Sequence, residues 1–226
     1  MKTIERGGWD KERLYLRNAE FTVTDGTRII VKASNFPDMD MTDVVARHVA
    51  RYGIIALFCR PGYRVLDFPC GSGYGAEFLR PFGIKYLGMD FDKPTVEYAR
   101  RVYGDHGTEY KMSDLRKPHL PKKIFDVVCC IEGLEHIEGT HQPGIVKAFA
   151  QSLKPSGTLI ISSPQSRRSV SGPNPNNPHH LHELTRWDFL KLLTDQFGQS
   201  HVEMITQIAT MSTGKKATML FGICHL

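Results

Sequence analysis

Residues 65–75 read VLDFPCGSGYG, an apolar stretch that runs into a turn rich in glycine. The apolar part predicts a buried strand, and the residues after the turn predict the start of a helix. Glycines at such a point let the backbone approach a ligand closely, and the first N–H groups of the helix can receive an anionic group. A glycine-rich turn on its own is a weak signal, so its meaning depends on the chain around it.

Around this turn, strand-like and helical segments alternate along the chain. The strand-like segments are YRVLDF, KYLGMDF, TEYKMSD, FDVVCCIEG and GTLIISSP, and helical stretches such as KPTVEYARRVYG lie between them. This alternation predicts βαβ units and a parallel sheet with helices on both faces. Two consecutive segments at the end, HVEMITQIA and ATMLFGICH, predict an antiparallel hairpin. We therefore predict a doubly wound, Rossmann-like α/β fold with a mostly parallel seven-stranded sheet.

The first part of the chain differs from this pattern. We predict an N-terminal cap over residues 1–45 and the main domain over residues 46–226. A hairpin is predicted in EFTVTDGTRIIVKAS, with its turn at the Asp-Gly pair, and an amphipathic helix from about residue 42 to residue 58. In the last helical stretch we expect Trp187 and Phe189 to pack in the core. The aromatic residues of the cap that we expect to close over a ligand as a lid are Trp9, Tyr15 and Phe21.

Composition excludes several classes of protein. A chain of 226 residues with 41% hydrophobic residues can form one α/β domain, and its net charge of +5 comes from scattered basic residues, which argues against a disordered polycation. The longest apolar run, Ile54–Cys59, is far shorter than the roughly 20 residues that cross a bilayer. The first residues lack the apolar core of a secretory signal, and the five cysteines show no CxxC spacing. We expect a cytoplasmic protein with reduced thiols and no membrane partner.

Acidic residues end the first three strand-like segments of the main domain. They are Asp67, Asp90 and Asp114. Asp90 lies about twenty residues beyond the glycines, where a carboxylate can accept hydrogen bonds from ribose hydroxyls. Ser113 and Asp114 are placed to meet an adenine edge. A nicotinamide-dependent dehydrogenase would have the spacing G-x-G-x-x-G, whereas this turn has G-x-G-x-G.

These segments together resemble the class I S-adenosylmethionine-dependent methyltransferases over roughly residues 45–195. VLDFPCGSGYG resembles the first motif of that family, GMDFD the second, SDL the third, FDVVCCIEGLEHI the fourth, and LKPSGTLIISSP the segment that ends in the fifth strand. The resemblance implies S-adenosyl-L-methionine as the cofactor. Pro69 departs from the commonest pattern, which has glycine at that position. The resemblance implies Asp67, Gly71 and Gly73 around the methionine portion, Asp90 on the ribose and Asp114 near the adenine, with Phe91 and Ser113 as neighbours. Pro69 and Leu115 complete the predicted cofactor-binding residues.

A second set of polar residues follows the strand-like segment 125–131. Glu132, Glu135 and His136 come directly after it, and residues 177–183, NPHHLHE, bring three histidines after the next strand. If that loop folds over the same sheet edge, carboxylates and imidazoles enclose one divalent ion, and magnesium, manganese, iron and zinc all suit such a set. In the alternative, Glu135 caps a helix, His136 packs in the core, and the later histidines lie on a solvent loop.

The order E-x-x-E-H followed by H-x-x-E resembles metal-dependent O-methyltransferases. The first element is similar to that of the ubiquinone-biosynthesis O-methyltransferases, and both elements are similar to those of the small-RNA 3′-terminal 2′-O-methyltransferases and of bacterial methyltransferases associated with sugars and surface glycans. The resemblance implies that Glu132, Glu135, His136 and His180 are metal ligands and that Glu132 and His136 are catalytic. His179 and His182 compete with His180 for the last position.

These features predict methyl transfer to a hydroxyl of a sugar or another small metabolite. A divalent ion that chelates a vicinal diol or a catechol would lower the pKa of one hydroxyl and align it. His136 is instead a general base if no metal binds. Two alternatives stay open: an RNA 3′-terminal ribose 2′-O-methyltransferase, disfavoured because the basic spots are small, and an N-methyltransferase or inactive cofactor-binding subunit.

Overall fold

The computed structural model describes residues 2–7, 13–34, 41–210, 214 and 216–226, without the side chains of residues 41–44. Trp9 of the predicted lid therefore lies outside the described residues. In the part of the chain that is described, no helix has the length and apolar character needed to cross a membrane.

A seven-stranded sheet forms the centre of the molecule. Its strands are β4 (Arg64–Asp67), β5 (Lys85–Asp90), β6 (Thr108–Met112), β7 (Phe125–Ile131), β8 (Leu153–Pro164), β9 (Val202–Thr210) and β10 (Lys216–His225). Their order across the sheet is β6-β5-β4-β7-β8-β10-β9. Strands β4 to β8 are parallel, whereas β10 runs antiparallel to both β8 and β9. The predicted fold class and the C-terminal hairpin are confirmed.

Helices cover both faces of this sheet. They are α1 (Met41–Ala56), α2 (Gly75–Leu79), α3 (Lys93–Tyr103), α4 (Gln142–Ser152) and α5 (Arg186–Phe197). Because successive strand residues point to opposite faces, Val65 packs with α1, α2 and α3, while its neighbour Leu66 packs with α4 and α5. Side chains at the helix starts accept backbone hydrogen bonds, Asp92 from the Thr95 N–H and Thr185 from the Asp188 N–H. These two caps fix where α3 and α5 begin.

The expectation for the two aromatics of α5 is half correct. Phe189 is fully buried, as predicted, and shares one face of the helix with Leu193 and Phe197. Trp187 is 79% exposed, so its predicted core position is wrong. The reason is helical geometry, since a residue two positions from the buried row lies on the far side of a helix with 3.6 residues per turn.

The N-terminal part forms a separate three-stranded sheet. Its strands are β1 (Thr3–Gly7), β2 (Ala19–Thr22) and β3 (Arg28–Lys32), in the order β1-β3-β2. The antiparallel pair of β2 and β3 is the predicted hairpin, whereas the parallel pairing of β1 with β3 was not predicted. Tyr15, from the predicted lid, is buried, and its hydroxyl lies 2.9 Å from the Thr95 hydroxyl of α3. The boundary predicted at residues 45 and 46 falls inside α1.

The strand order also creates the place where a ligand can bind. From β4 the chain moves to β5 and β6 on one side, then returns to β7 on the other side. In an open parallel sheet, the loops that leave such a reversal point diverge and leave a crevice at the carboxyl ends of the strands.

Candidate functional site

A cavity of about 340 Å³ lies at this crevice. Its wall combines the loop after β4, the end of β5, the loop after β7, one face of α1 and part of the loop between β8 and α5. Residues that the sequence predicted for the site and that line it are Pro69, Gly71, Asp90, Phe91, Leu115, Glu132 and His136, together with His179. The residues that sequence reasoning missed include Arg13, His48, Tyr52 and Tyr74.

The glycine-rich turn meets the cavity at only one of its two predicted glycines. Gly71, with φ of +53°, lines the cavity, and its N–H donates to the Asp90 carboxylate at 3.2 Å. Gly73 does not line it but faces inward, where a Cβ would lie 2.6 Å from the Ala99 Cβ and 2.8 Å from a ring carbon of Tyr110. With φ of +87°, Gly73 is a packing position that lets the glycine-rich turn approach α3 and β6 closely.

Asp67, at the end of β4, is fully buried behind the cavity and does not line it. One carboxylate oxygen accepts hydrogen bonds from the hydroxyls of Tyr52, at 2.9 Å, and Tyr86, at 2.5 Å. Burial raises the pKa of Asp67 to about 6, although these two hydroxyl donors lower it. The predicted contact of Asp67 with the methionine portion stays a prediction, and the residue's described contacts are to core tyrosines.

Asp90, at the end of β5, is buried and already has several hydrogen-bond donors. One carboxylate oxygen accepts from the Asp92 N–H and from the Arg13 guanidinium, both at 3.0 Å, and the other accepts from Gly71. The Arg13 guanidinium lies 5.2 Å from the centre of the Phe91 ring. The predicted ribose-binding carboxylate therefore lies in the cavity beside the Arg13 guanidinium, which no sequence motif predicted.

The three cofactor-binding residues predicted at the end of β6, Ser113, Asp114 and Leu115, differ in their positions. Leu115 is buried and lines the cavity. Ser113 contacts the end of β5 through its N–H, which donates to the Asp90 carbonyl at 3.0 Å. The Asp114 carboxylate is exposed and pairs with Arg116 at 2.7 Å, away from the cavity wall. The apolar member of this set is thus the one that the structure places at the site.

Glu132 follows β7 in a left-handed backbone conformation, with φ of +49°. Its carboxylate is 3.1 Å from His48 Nε2 and contacts the Arg51 guanidinium, and both partners come from α1. Burial would raise the pKa of Glu132, but the Arg51 charge and the hydrogen bond with His48 outweigh it and lower the pKa to about 2. Arg51 also donates to the Gln207 side chain of β9 at 3.2 Å. Glu132 is therefore an ionised carboxylate held by two groups of α1.

Three of the four predicted metal ligands lie together. Glu135, His136 and His180 each have a ligand atom within 4.8 Å of those of the other two, and Glu132 is not a member of this group. Glu135 is buried, its carboxylate accepts from the Ser163 hydroxyl at 3.3 Å, and burial together with the nearby Glu132 charge raises its pKa to about 8. The rings of His136 and His180 meet edge to face, with centroids 5.2 Å apart.

Oxygen atoms hold both imidazoles through their Nδ1 atoms. His136 Nδ1 is 3.0 Å from the His179 carbonyl, and His180 Nδ1 is 2.6 Å from the Glu183 carboxylate. Metal-binding histidines characteristically direct their second nitrogen at a carbonyl or carboxylate in this way, which fixes the ring and the tautomer. Of the three histidines that compete for the last position, His180 is the one whose ring lies beside Glu135 and His136, whereas His179 contributes its carbonyl and the His182 ring lies against Gly139.

Backbone and side-chain hydrogen bonds fasten the histidine loop to the residues after β7. The His182 N–H donates to the Glu135 carbonyl at 3.0 Å, and the buried Gln142 amide donates to the His182 carbonyl at 3.1 Å. Sequence spacing could have suggested the missed α1 residues, because positions 48, 51 and 52 share one helical face. It could not show that this face meets the loop after β7.

Comparisons with known proteins match the chain by sequence and by fold. A family model described as a methyltransferase domain matches residues 39–206. A probable S-adenosylmethionine-dependent methyltransferase of Mycolicibacterium smegmatis is 30% identical over 148 residues, 65% of this chain and 56% of that protein. The chain thus spans little more than half the length of that relative.

Two further relatives match less than half of the chain, and their names assign different acceptor atoms. The ubiquinone biosynthesis O-methyltransferase of Idiomarina loihiensis is 32% identical over 45% of this chain and 42% of its own length. Phosphoethanolamine N-methyltransferase 1 of Arabidopsis thaliana is 29% identical over 46% of this chain and 21% of its own length. Among solved structures, a methyltransferase from Methanosarcina mazei superposes with a TM-score of 0.63 at 18% identity, over 76% of this chain and 96% of that one.

Proposed function

We propose that this chain, which belongs to the class I S-adenosylmethionine-dependent methyltransferase family, transfers the methyl group to a hydroxyl of a small acceptor with the help of a divalent metal. The match to the methyltransferase domain confirms the predicted family, and S-adenosyl-L-methionine is the cofactor of that family. The acceptor atom and the metal are the proposal. The observation that carries it is the group formed by Glu135, His136 and His180 at the edge of the cavity.

The cofactor side of the proposal rests on the cavity wall formed by the first two strand ends. Gly71 brings backbone close to the cavity, and Asp90 places a buried carboxylate where ribose hydroxyls can donate to it. Phe91 and Leu115 add apolar surface on the same wall, which suits an adenine ring. We assign these four residues to S-adenosyl-L-methionine.

The donor set fits a divalent cation. One carboxylate and two imidazoles form a borderline set that suits zinc, manganese or iron and that magnesium accepts less readily. Both rings have the supporting oxygen contacts expected of ligands, and the buried Glu135 carboxylate has a hydroxyl donor as its described hydrogen-bond partner. We place the metal on these three residues and leave out Glu132, because Arg51 and His48 hold its carboxylate.

When bound, the metal supplies a Lewis acid that lowers the pKa of a coordinated hydroxyl. His136 both lines the cavity and belongs to the group of candidate metal ligands. An acceptor bound beside His136 would therefore lie next to the part of the cavity assigned to the cofactor. Ile131, Ile137 and Leu181 line the same cavity and provide apolar surface against which the flat face of a sugar or an aromatic ring can pack. A vicinal diol or a catechol would meet both demands, because it offers two neighbouring oxygens to a metal that Glu135, His136 and His180 would hold.

Transfer itself is an in-line displacement. The deprotonated acceptor oxygen, whose proton has passed to solvent, attacks the sulfonium methyl, the carbon–sulfur bond breaks, and S-adenosylhomocysteine leaves with the electron pair. What the chain contributes is alignment: the strand ends fix the cofactor, and the loop after β7 fixes the acceptor on the opposite side of the methyl group. A small-molecule acceptor suits a cavity of this volume.

The test combines metal binding with methyl transfer. Protein stripped of metal is titrated calorimetrically with manganese and with zinc, and turnover is assayed with a catechol and with a sugar that has a vicinal diol. Glu135→Gln and His180→Ala should each weaken metal binding at least about tenfold and abolish turnover, while binding of S-adenosylhomocysteine stays within about twofold. His182→Ala is the matched control from the same loop and should keep both.

Three results would count against this proposal. Turnover that a chelator leaves unchanged would remove the metal and make His136 a general base. Transfer to an amine, with none to a hydroxyl, would place the chain among the N-methyltransferases. Methylation of RNA 3′ ends with a steep salt dependence would replace the small acceptor with RNA.

A further inference from the structure

Arg13 lies against the carboxylate that we assign to the cofactor's ribose. Its guanidinium is 3.0 Å from Asp90, and the two side chains are only 11% and 3% exposed. The same guanidinium lies over the Phe91 ring and forms part of the cavity wall. Arg13 therefore occupies polar and aromatic surface that a bound adenosine would also use.

The hydrogen-bonding capacity of Asp90 is nearly filled by the chain itself. Backbone N–H groups of Gly71 and Asp92 take one site on each oxygen, and Arg13 takes a further site on one oxygen. A carboxylate has about four acceptor sites. Two ribose hydroxyls that donate to this buried carboxylate would compete with the guanidinium for both space and lone pairs.

The segment that carries Arg13 is held in place by other bonds. The Ser72 hydroxyl donates to the Leu14 carbonyl at 2.5 Å, and the Tyr98 hydroxyl donates to the Arg17 carbonyl at 2.8 Å. Tyr15 is buried against α3. The guanidinium can consequently leave Asp90 by rotation of its own side chain while the backbone of residues 14–17 stays on the glycine-rich turn.

We propose that Arg13 is an intramolecular competitor of the cofactor, which must exchange the Arg13–Asp90 ion pair for ribose–Asp90 hydrogen bonds when it binds. The inference rests on the ribose role assigned to Asp90 and adds a residue that sets cofactor affinity. It also ties cofactor binding to the N-terminal segment, because the displaced guanidinium must find a new position beside that segment.

The expected gain in cofactor affinity depends on the fraction of molecules in which the Arg13–Asp90 ion pair is formed. If the ion pair is formed in about nine molecules of ten, the apparent affinity is about tenfold weaker than that of the open site. Removing the guanidinium should recover most of this factor. We therefore expect Arg13→Gln to bind S-adenosylhomocysteine at least about threefold more tightly than the wild type.

The experiment is calorimetric titration of the full chain with S-adenosylhomocysteine. The variants are Arg13→Gln, Arg13→Lys, which keeps the charge without the forked geometry, and Arg17→Gln as matched control. Arg17 belongs to the same segment, pairs with Glu77 at 2.5 Å and does not line the cavity. Asp90→Asn and the double variant with Arg13→Gln complete a double-mutant cycle. Thermal melting of each variant checks that it folds.

The proposal expects tighter binding for Arg13→Gln, an intermediate value for Arg13→Lys, no change for Arg17→Gln, and no effect of Arg13→Gln in the Asp90→Asn background. Weaker or unchanged binding for Arg13→Gln, with Asp90→Asn still impaired, would overturn the competition and leave the ribose assignment intact. Unimpaired binding by Asp90→Asn would overturn the ribose assignment and the competition with it.

Discussion

Gly73→Ala should destabilise the protein through two separable effects. The backbone at residue 73 has φ of +87°, which costs an alanine about 1–2 kcal/mol. The added Cβ would also lie 2.6 Å from the Ala99 Cβ and 2.8 Å from the Tyr110 ring. Overpacking of this kind costs about 1–3 kcal/mol. The Tyr110 ring cannot easily move, because its hydroxyl donates to the Gly73 carbonyl at 2.7 Å.

Two matched variants separate these effects. Gly26 has φ of +79° and no heavy atom of the described residues within 4 Å of an added Cβ, so Gly26→Ala carries the backbone cost alone. Gly88 has an ordinary φ, and its added Cβ would lie 2.6 Å from the Tyr110 ring, so Gly88→Ala carries the packing cost alone. The loss in Gly73→Ala should be about 2–5 kcal/mol, close to the sum of the other two.

Urea unfolding followed by circular dichroism measures all three variants. With a slope of about 2 kcal/mol per molar urea, a loss of 3 kcal/mol moves the midpoint by about 1.5 M at unchanged slope. A Gly73→Ala midpoint equal to that of Gly26→Ala would show that the close approach of α3 and β6 to the turn contributes nothing. The interpretation of Gly73 as a position that must be small for packing would then be wrong.

Three further predictions concern buried polar groups. Tyr86→Phe removes a 2.5 Å hydrogen bond to buried Asp67 and should lower the unfolding free energy by about 1–3 kcal/mol, measured by urea unfolding. The pKa of Asp67 is raised from 3.8 to about 6, so its contribution to stability falls as pH rises through that window, by about 3 kcal/mol in total. Asp67→Asn should remove this slope from the pH dependence of the urea midpoint, and an unchanged slope would refute it. Arg51→Met leaves Glu132 with one cation fewer and should cost about 3 kcal/mol, whereas the double variant with Glu132→Gln should cost less than the sum of its parts in the same assay.

Much of the fold could be predicted because apolar period and turn chemistry are local properties. The alternation after residue 64 has the period of βαβ units, and the C-terminal hairpin followed from two strand-like segments in succession. Strand β1 escaped prediction, because its five residues, TIERG, are mostly polar and acquire their conformation from pairing with β3. Propensity carries little information when the partner strand decides the conformation.

The sequence was sufficient to predict which strand ends form the site. It was not sufficient to predict the direction in which each side chain points. Asp67 and Asp90 both end strands, yet Asp67 turns toward core tyrosines while Asp90 meets the cavity. That difference depends on Tyr52 and Tyr86, which come from other elements. The pairing of Glu132 with two residues of α1 was equally invisible, since about eighty positions separate the partners in sequence.

The hydrogen bonds that fasten the histidine loop would affect how a cation binds, because they hold the candidate ligands in place before it arrives. Glu135 and His182 are joined through backbone, and Gln142 is buried against the same loop, so the loop is ordered as the chain folds. The entropy of arranging His180 beside Glu135 is therefore lost during folding and does not oppose a later binding event. Donor atoms that are already held in place can move only slightly to suit the ionic radius of a bound cation. If Glu135, His136 and His180 bind a metal as proposed, they would select among cations by size and preferred coordination geometry, whereas a flexible loop would select them by charge.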